Sequence, residues 1–67
     1  MIYLNGKPAA VEAPATICDV LIGAEIDPRT PGIAVAVGAE VARRGVWDTR
    51  EVPDGARVEV LTATQGG

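Results

Sequence analysis

Thr16-Ile17-Cys18-Asp19-Val20-Leu21-Ile22-Gly23-Ala24 is the stretch that decides the fold, because it has a helical pattern among segments that alternate like strands. Four of its apolar residues have the i, i+3, i+4, i+7 spacing of one helix face: Ile17, Val20, Leu21 and Ala24. Thr16 is a predicted N-cap, and Asp19 follows three residues later, as in a capping box. Gly23 lies near the predicted end. We therefore predict one helix whose apolar face covers a sheet.

The segment before this helix is predicted to be a β-hairpin. Ile2 and Leu4 point to one side and their neighbours to the other, the period-two pattern of a half-buried strand. Asn5-Gly6 follows, and this pair readily supplies positive φ at both centres of a type I′ turn. The returning strand is predicted from about Ala9 to Glu12, with Pro8 tolerated only near its start or on an edge.

The segment after the helix is predicted to be a second hairpin. Asp27-Pro28 and Pro31-Gly32 form the loop that separates it from the helix. Gly32-Ile33-Ala34-Val35-Ala36-Val37 reads as a strand with branched residues on one side and alanines on the other. Gly38-Ala39 fits a type II′ turn, which needs glycine first. Glu40-Val41-Ala42-Arg43 is the expected returning strand.

The last third of the chain contains one more predicted strand. Residues 44–53 have no regular pattern, and Trp47, the one large apolar residue there, is expected to pack under the loop. Asp54-Gly55 is a predicted turn, and residues 57–62 are a predicted strand. The first and last strands are expected to be parallel neighbours in the middle of the sheet, since the helical segment supplies the crossover that parallel pairing requires.

These elements predict an α+β roll, in which one main helix packs on one face of a mixed sheet of four to five strands. The 67 residues make a single domain. We expect the folded domain to span residues 1–63. Residues 64–67 lack a strand pattern and are expected to form a flexible C-terminal Gly-Gly tail.

Composition excludes several classes of function. The formal charge is −3 with no histidine, which disfavours nucleic-acid binding and removes the commonest general base and metal ligand. Cys18 is the only cysteine, so neither an internal disulfide nor a cysteine-based zinc site is expected. No signal peptide or membrane span is recognisable. The prediction is a soluble, cytoplasmic protein without a bound metal.

Several short stretches occur in an order and spacing typical of one family: Leu4-Asn5-Gly6, Ala15-Thr16-Ile17, Asp27-Pro28-Arg29, Gly32 to Val37, Trp47, Asp54-Gly55, Val58-Glu59-Val60 and Gln65-Gly66-Gly67. Over nearly its whole length the chain resembles the ThiS family of thiamine-biosynthesis sulfur carriers, which have the β-grasp, or ubiquitin-like, fold. Two stretches depart from the pattern. Gly38-Ala39-Glu40 stands where the family commonly has Asn-Gly-Glu, and Arg43-Arg44-Gly45 precedes the tryptophan.

The resemblance implies a carrier cycle at the C-terminus. A ThiF-type adenylating enzyme would use ATP to adenylate the Gly67 carboxylate. A sulfur donor such as a cysteine desulfurase would displace AMP and leave a thiocarboxylate, which a ThiG-type thiazole synthase would accept. Thr64, Gln65 and Gly66 would thread the partner's active site. The carrier would have no catalytic residues and no bound cofactor, and would itself not be an enzyme.

Three other functions stay open from the sequence. The small subunit of molybdopterin synthase has the same fold, tail and thiocarboxylate, but is usually longer and richer in phenylalanine. A ubiquitin-like modifier would form isopeptide bonds with lysines of target proteins. A β-grasp interaction module would have a tail without a function.

The remaining chemistry-bearing residues have simpler explanations. Cys18 lies one position from the apolar stripe and is expected to be half-buried, with nothing nearby to lower the pKa of its thiol. Four arginines are expected to be solvated surface charges: Arg43, Arg44, Arg50 and Arg57. Three acidic residues are interpreted as capping or surface groups: Asp19, Glu25 and Asp27.

Overall fold

Nine elements follow one another in the computed structural model, which describes residues 1–62. In chain order they are β1 (Tyr3–Leu4), β2 (Lys7–Pro8), β3 (Ala15–Thr16), α1 (Ile17–Gly23), β4 (Ile33–Val37), β5 (Glu40–Ala42), a 3₁₀ helix (Arg44–Val46), β6 (Glu51–Val52) and β7 (Arg57–Thr62). One helix and a mixed five-stranded sheet confirm the predicted α+β class.

The main sheet has the strand order β2-β1-β7-β4-β5. β1 and β7 are parallel, with Tyr3 opposite Arg57 and Leu4 opposite Val58, whereas the other pairs are antiparallel. The chain between β1 and β7 includes α1 and supplies the crossover. The predicted parallel pairing of the first and last strands is therefore confirmed, and β7 is the central strand.

The helix begins at the predicted cap. The Asp19 amide donates to the Thr16 hydroxyl (3.1 Å), and the Thr16 amide donates to the Asp19 carboxylate (3.0 Å), which completes the capping box. The expected core position of Ala24 was wrong: Ala24 is exposed because the helix ends at Gly23. The Ile26 amide instead donates back to the Leu21 carbonyl (2.9 Å), so the chain has already turned away from the helix axis.

In the first hairpin, the returning strand begins earlier in the chain than the sequence pattern predicted. Asn5 and Gly6 have φ of 51° and 84°, as a type I′ turn requires. A two-residue turn places Lys7 directly opposite Leu4, so the returning strand is Lys7–Pro8 and the prediction of Ala9 to Glu12 was wrong. Pro8 lies on an edge strand, where its missing N–H leaves no ladder bond unmade.

The second hairpin agrees with its predicted turn. Gly38 has φ of 63°, and Val37 and Glu40 pair on either side of the two turn residues. The returning strand ends at Ala42 rather than Arg43. The irregular stretch contains the 3₁₀ helix and β6, and β6 pairs with β3 in a separate two-stranded sheet that the sequence did not predict.

The core lies between α1 and one face of the main sheet. Its buried apolar residues within 1–62 are Ile2, Ala15, Ile17, Val20, Leu21, Val35, Ala42, Trp47, Val52, Val58 and Val60. Trp47 is 2% exposed and its indole N–H donates to the Ala42 carbonyl (2.9 Å), which confirms its expected packing role. Among residues 1–62, no helix has the length and apolar character needed to cross a membrane.

Candidate functional site

The C-terminal tail, which is predicted to carry the function, follows directly after the central strand β7. Thr64, Gln65, Gly66 and Gly67 lie outside the described residues, and so does the predicted domain boundary after residue 63. β7 carries the chain to Thr62, which pairs with Ile33 at the start of β4. The segment 63–67 therefore continues from a strand whose last residues pair with β4 and whose first residues also pair with β1.

The side chain of Asn5 holds β7 close to this exit. β1 ends at Leu4, yet the Val60 amide donates to the Asn5 Oδ1 (2.9 Å), and the Asn5 Nδ2 donates to the Val60 carbonyl (3.4 Å). The amide side chain thus takes the place of a backbone partner beside Val60. The sequence predicted only the turn role of Asn5. The only feature of the sequence that could have indicated this second role is the side chain itself, because an Asn amide carries both a donor and an acceptor.

One face of the main sheet has no helix on it, and we call it the open face. Its residues on β7, β4 and β5 are Arg57, Glu59, Leu61, Ala34, Ala36 and Val41. Tyr3 of β1, which pairs with Arg57, lies on the same face. Leu61 is 65% exposed and Val41 is 71% exposed, the highest exposures among the large apolar residues of these strands. The open face therefore begins at Leu61, two residues before the segment that ends in Gly67.

A second apolar surface lies on the helix side of the domain. Cys18 and Ile22 of α1 line a shallow groove together with Ile26 and Pro28 of the following loop. Burial is the main cause that raises the pKa of the Cys18 thiol, and the carboxylates of Asp48 and Asp19 add to it. A thiol held in its neutral form is a poor nucleophile, and so this environment does not favour a sulfur-relay role for Cys18.

Arg44 does more than the sequence suggested. Its guanidinium lies 4.5 Å from the centre of the Trp47 ring and donates to the carbonyls of Pro28 and Thr30, the latter at 2.7 Å. Arg44 is exposed, as expected of a surface charge, but its guanidinium also makes specific contacts that the sequence did not predict. Its side chain ties the loop after α1 to the 3₁₀ segment. Arg44 is one of the residues ahead of Trp47 that depart from the family pattern, and it has a structural role here.

Arg50 is also engaged, since its guanidinium donates to the Glu40 carboxylate (2.7 Å). Asp27 accepts the Arg29 amide (2.8 Å), and this bond, followed by the Arg29 side chain, lowers the pKa of its carboxyl below the ordinary value. Asp19 caps the helix, as expected. Within residues 1–62, no three His, Cys, Asp or Glu side chains are grouped as ligands for a metal ion.

The arrangement defines a class of protein: a β-grasp, ubiquitin-like domain whose last strand is central and leads to a C-terminal Gly-Gly. The chain belongs to the ThiS family, whose model matches residues 2–67. It is similar to the crystal structure of the thiamine biosynthesis protein ThiS from Geobacter metallireducens, with 28% sequence identity and a TM-score of 0.76. That match covers 98% of this chain and 97% of the other. No curated protein matches this chain.

Proposed function

We propose that this chain is a cytoplasmic sulfur carrier of thiamine biosynthesis, and that its C-terminal carboxylate carries the sulfur as a thiocarboxylate. The observation that carries this proposal is the family match, which runs through the terminal Gly66-Gly67. The fold supports it, because β7 brings the chain from the centre of a sheet to the terminal segment. The family is one of small carriers, and the chain acts as a protein substrate of other enzymes.

Adenylation makes the terminal carboxylate reactive. The C-terminal α-carboxyl group of a chain has a pKa of roughly 3.5 and is ionised at neutral pH. The resulting carboxylate is a weak acyl donor. One Gly67 oxygen attacks the α-phosphorus of ATP on a ThiF-type enzyme, pyrophosphate leaves, and a mixed anhydride with AMP results. The persulfide sulfur of a donor such as a cysteine desulfurase attacks the carbonyl carbon, and AMP leaves. A thiol then reduces the S–S bond, which frees the thiocarboxylate for a ThiG-type thiazole synthase.

Glycine at the last two positions has a steric explanation. Without Cβ atoms, the backbone can enter a narrow channel and adopt angles closed to other residues. A methyl group at position 67 would lie beside the carbon under attack. Five residues after Thr62 span at most about 17 Å, so Thr64, Gln65 and Gly66 are proposed to thread the partner's active site.

Intact mass spectrometry tests this function. The full chain is incubated with ATP, a ThiF-type enzyme, a cysteine desulfurase, cysteine and a thiol reductant. We expect one oxygen to be replaced by one sulfur, with the change in the last peptide. A chain ending at Gln65 should stay unmodified, whereas the matched control Cys18→Ser should be converted normally. Sulfur on Cys18 with an unmodified terminus would contradict the mechanism.

Partner choice separates the related carriers. We expect the thiocarboxylate form to co-purify with thiazole synthase and to support thiazole formation. Co-purification with the large subunit of molybdopterin synthase would instead identify a molybdenum-cofactor carrier. Lysine-linked adducts in cell extracts would identify a protein modifier.

A further inference from the structure

The parallel ladder between β1 and β7 ends before β7 does. β1 pairs with Arg57 and Val58, and the Asn5 amide then donates to the Val58 carbonyl (2.8 Å). There the backbone leaves the sheet, because Asn5 and Gly6 turn it back with φ of 51° and 84°. β7 continues for four more residues, to Thr62. Within the described chain, β1 therefore pairs with none of the last four residues of β7.

The side chain of Asn5 continues the ladder past the point where the backbone turns away. The Val60 amide donates to the Asn5 Oδ1 (2.9 Å), and the Val60 carbonyl accepts from the Asn5 Nδ2 at the longer distance of 3.4 Å. In a regular parallel ladder these two groups would bond to the backbone of the neighbouring strand. An Asn side chain offers the same acceptor and donor. One side chain thus replaces one step of the ladder.

The geometry of β7 leaves Val60 dependent on this side chain. Alternate residues of a strand bond to opposite neighbours, so the Val60 amide and carbonyl point away from β4, although Val60 pairs with Val35 of that strand. Val60 is also the last buried residue of β7, with 9% exposure. Removal of the Asn5 side chain would therefore leave two backbone groups without their partner at a largely shielded position.

Val60 lies close to the start of the terminal segment. It is two residues before Thr62 and seven before Gly67. Leu61 and Thr62 pair with β4, at Ala34 and Ile33. In the part of the chain that the structure describes, the Asn5 contact is thus the last point at which β7 is held from both sides. Without it, that point would move back to Val58.

The turn alone does not require asparagine at position 5. Glycine adopts positive φ without a steric penalty, so a chain with Asn5→Gly can form the same turn. Aspartate keeps an acceptor for the Val60 amide but has no donor for the Val60 carbonyl. The two substitutions therefore remove both bonds or only the longer one, while the turn is kept.

We propose that Asn5 is a positioning residue for the chemistry at the C-terminus: it fixes the point from which the tail leaves the domain. A tail with a fixed origin explores a smaller volume, which raises the effective concentration of its carboxylate in a partner's active site. Asn5 touches no reacting atom and acts through β7. The inference rests on the proposed function, because it needs an enzyme that acts on Gly67.

The test uses the full chain with the ThiF-type adenylating enzyme, and kcat/KM is measured by pyrophosphate release. The variants are Asn5→Gly and Asn5→Asp. The control Thr16→Ala also removes a side-chain hydrogen bond to a backbone amide (3.1 Å), but at the helix cap. NMR hydrogen exchange compares the Val60 amide with the Cys18 amide, which donates to the Trp47 carbonyl (2.9 Å). Circular dichroism and thermal unfolding show whether each variant is folded.

We expect Asn5→Gly to speed exchange of the Val60 amide about fivefold or more relative to the Cys18 amide, because its hydrogen-bond partner is gone. The kcat/KM should fall about three- to tenfold. Asn5→Asp keeps the shorter bond and should lie between Asn5→Gly and wild type in both measurements. Thr16→Ala should keep the wild-type kcat/KM and the wild-type ratio of the two exchange rates.

Two results would overturn the proposal. The first is a folded Asn5→Gly that exchanges its Val60 amide faster but is adenylated with the wild-type kcat/KM. The second is an equal fall in kcat/KM for Thr16→Ala, which would assign the effect to a general loss of stability. If Asn5→Gly does not fold, Asn5→Asp decides, and a wild-type kcat/KM for that variant would also overturn the proposal.

The structural half of the inference is testable without the enzyme. A wild-type chain that is not adenylated would contradict the proposed function. Heteronuclear NOE values of the Leu61 and Thr62 amides would then still show whether Asn5 fixes the origin of the tail. We expect these values to fall in Asn5→Gly and to stay unchanged in Thr16→Ala. Unchanged values in Asn5→Gly would overturn the inference itself.

Discussion

The two faces of the main sheet are made from alternate residues of the same strands, yet their composition differs. On β7, Val58 and Val60 are buried under α1, whereas Leu61 is exposed on the open face. On β4, Val35 is 1% exposed, whereas the open face carries alanines. We call the face with Val35, Val58 and Val60 the covered face. It needs large side chains because they fill the core against the helix. The open face is free to carry a shape suited to a partner.

This difference separates two properties of the chain. Side chains of the covered face determine stability, since their removal leaves a cavity. Side chains of the open face are solvent-exposed, and their substitution changes the free energy of unfolding by less than about 0.5 kcal/mol in most cases. Mutations on the two faces should therefore divide into those that unfold the domain and those that leave it folded.

A pair of identical substitutions gives the largest expected contrast. Leu21 is fully buried and Leu61 is 65% exposed. Leu21→Ala should lower the free energy of unfolding by about 2–5 kcal/mol, and Leu61→Ala by less than about 0.5 kcal/mol. Urea denaturation of both variants measures this difference. If Leu21→Ala prevents folding, the milder Ile17→Val should cost about 0.5–1.5 kcal/mol. Equal effects for the two leucines would contradict the division between the faces.

The turn between β4 and β5 should have the next largest effect, because it sets the register that assigns each residue to a face. Gly38 has φ of 63°, and a Cβ added to it would meet no atom within 4 Å, so Gly38→Ala tests backbone strain alone. We expect a loss of about 1–2 kcal/mol by thermal unfolding. Gly45 also has open space, without a left-handed φ. Gly45→Ala should therefore cost nothing, and a similar loss in both variants would contradict the strain argument.

Removal of the helix cap should lower the free energy of unfolding by less than the change at Gly38 does. Thr16→Ala removes the hydroxyl that accepts the Asp19 amide, and we expect a loss of about 1 kcal/mol. Thr30→Ala, in an exposed loop, is the matched control and should lie within about 0.5 kcal/mol of wild type. Chemical denaturation measures both. An equal loss at the two threonines would show that the cap does not stabilise α1.

Most of the features that the sequence predicted correctly have local causes. The cap at Thr16, the turn at Asn5-Gly6 and the turn at Gly38-Ala39 depend on residues that are adjacent or one helical turn apart. β4 and β7 were recognisable because alternation extends over five and six residues. The parallel pairing of β1 with β7 followed from topology.

Several of the features that the sequence missed depend on contacts between distant residues. β3 and β6 are two residues each, too short for a pattern, and they pair across more than thirty residues of chain. The second role of Asn5 requires β7 to pass beside it. The contact of Arg44 with the loop after α1 requires that loop to pass beside the 3₁₀ helix. At the candidate site, the alternation of β4 already predicted its alanine side, but only the register shows which residues of β5 and β7 lie beside those alanines. The role of Gly67 stays a prediction.

The smallest expected effect concerns acid. Within residues 1–62 no charged or polar side chain is buried, so the covered face should give stability that does not change with pH. Asp27 is a surface carboxyl whose pKa is lowered from its ordinary value of 3.8, first by the Arg29 amide and then by the Arg29 side chain. A carboxyl with a lower pKa in the folded state stabilises the fold above pH 3.8. This contribution is lost as the pH falls through the folded-state pKa.

Urea denaturation between neutral pH and about pH 2.5 tests this prediction. Stability should change little down to about pH 4 and then fall, and Asp27→Asn should make the fall shallower. Arg29→Ala is the informative control, because it removes the side chain but keeps the backbone amide, which is the larger cause. It should therefore retain more of the acid dependence than Asp27→Asn. If Arg29→Ala removes as much of it as Asp27→Asn, the guanidinium rather than the amide holds the Asp27 pKa down.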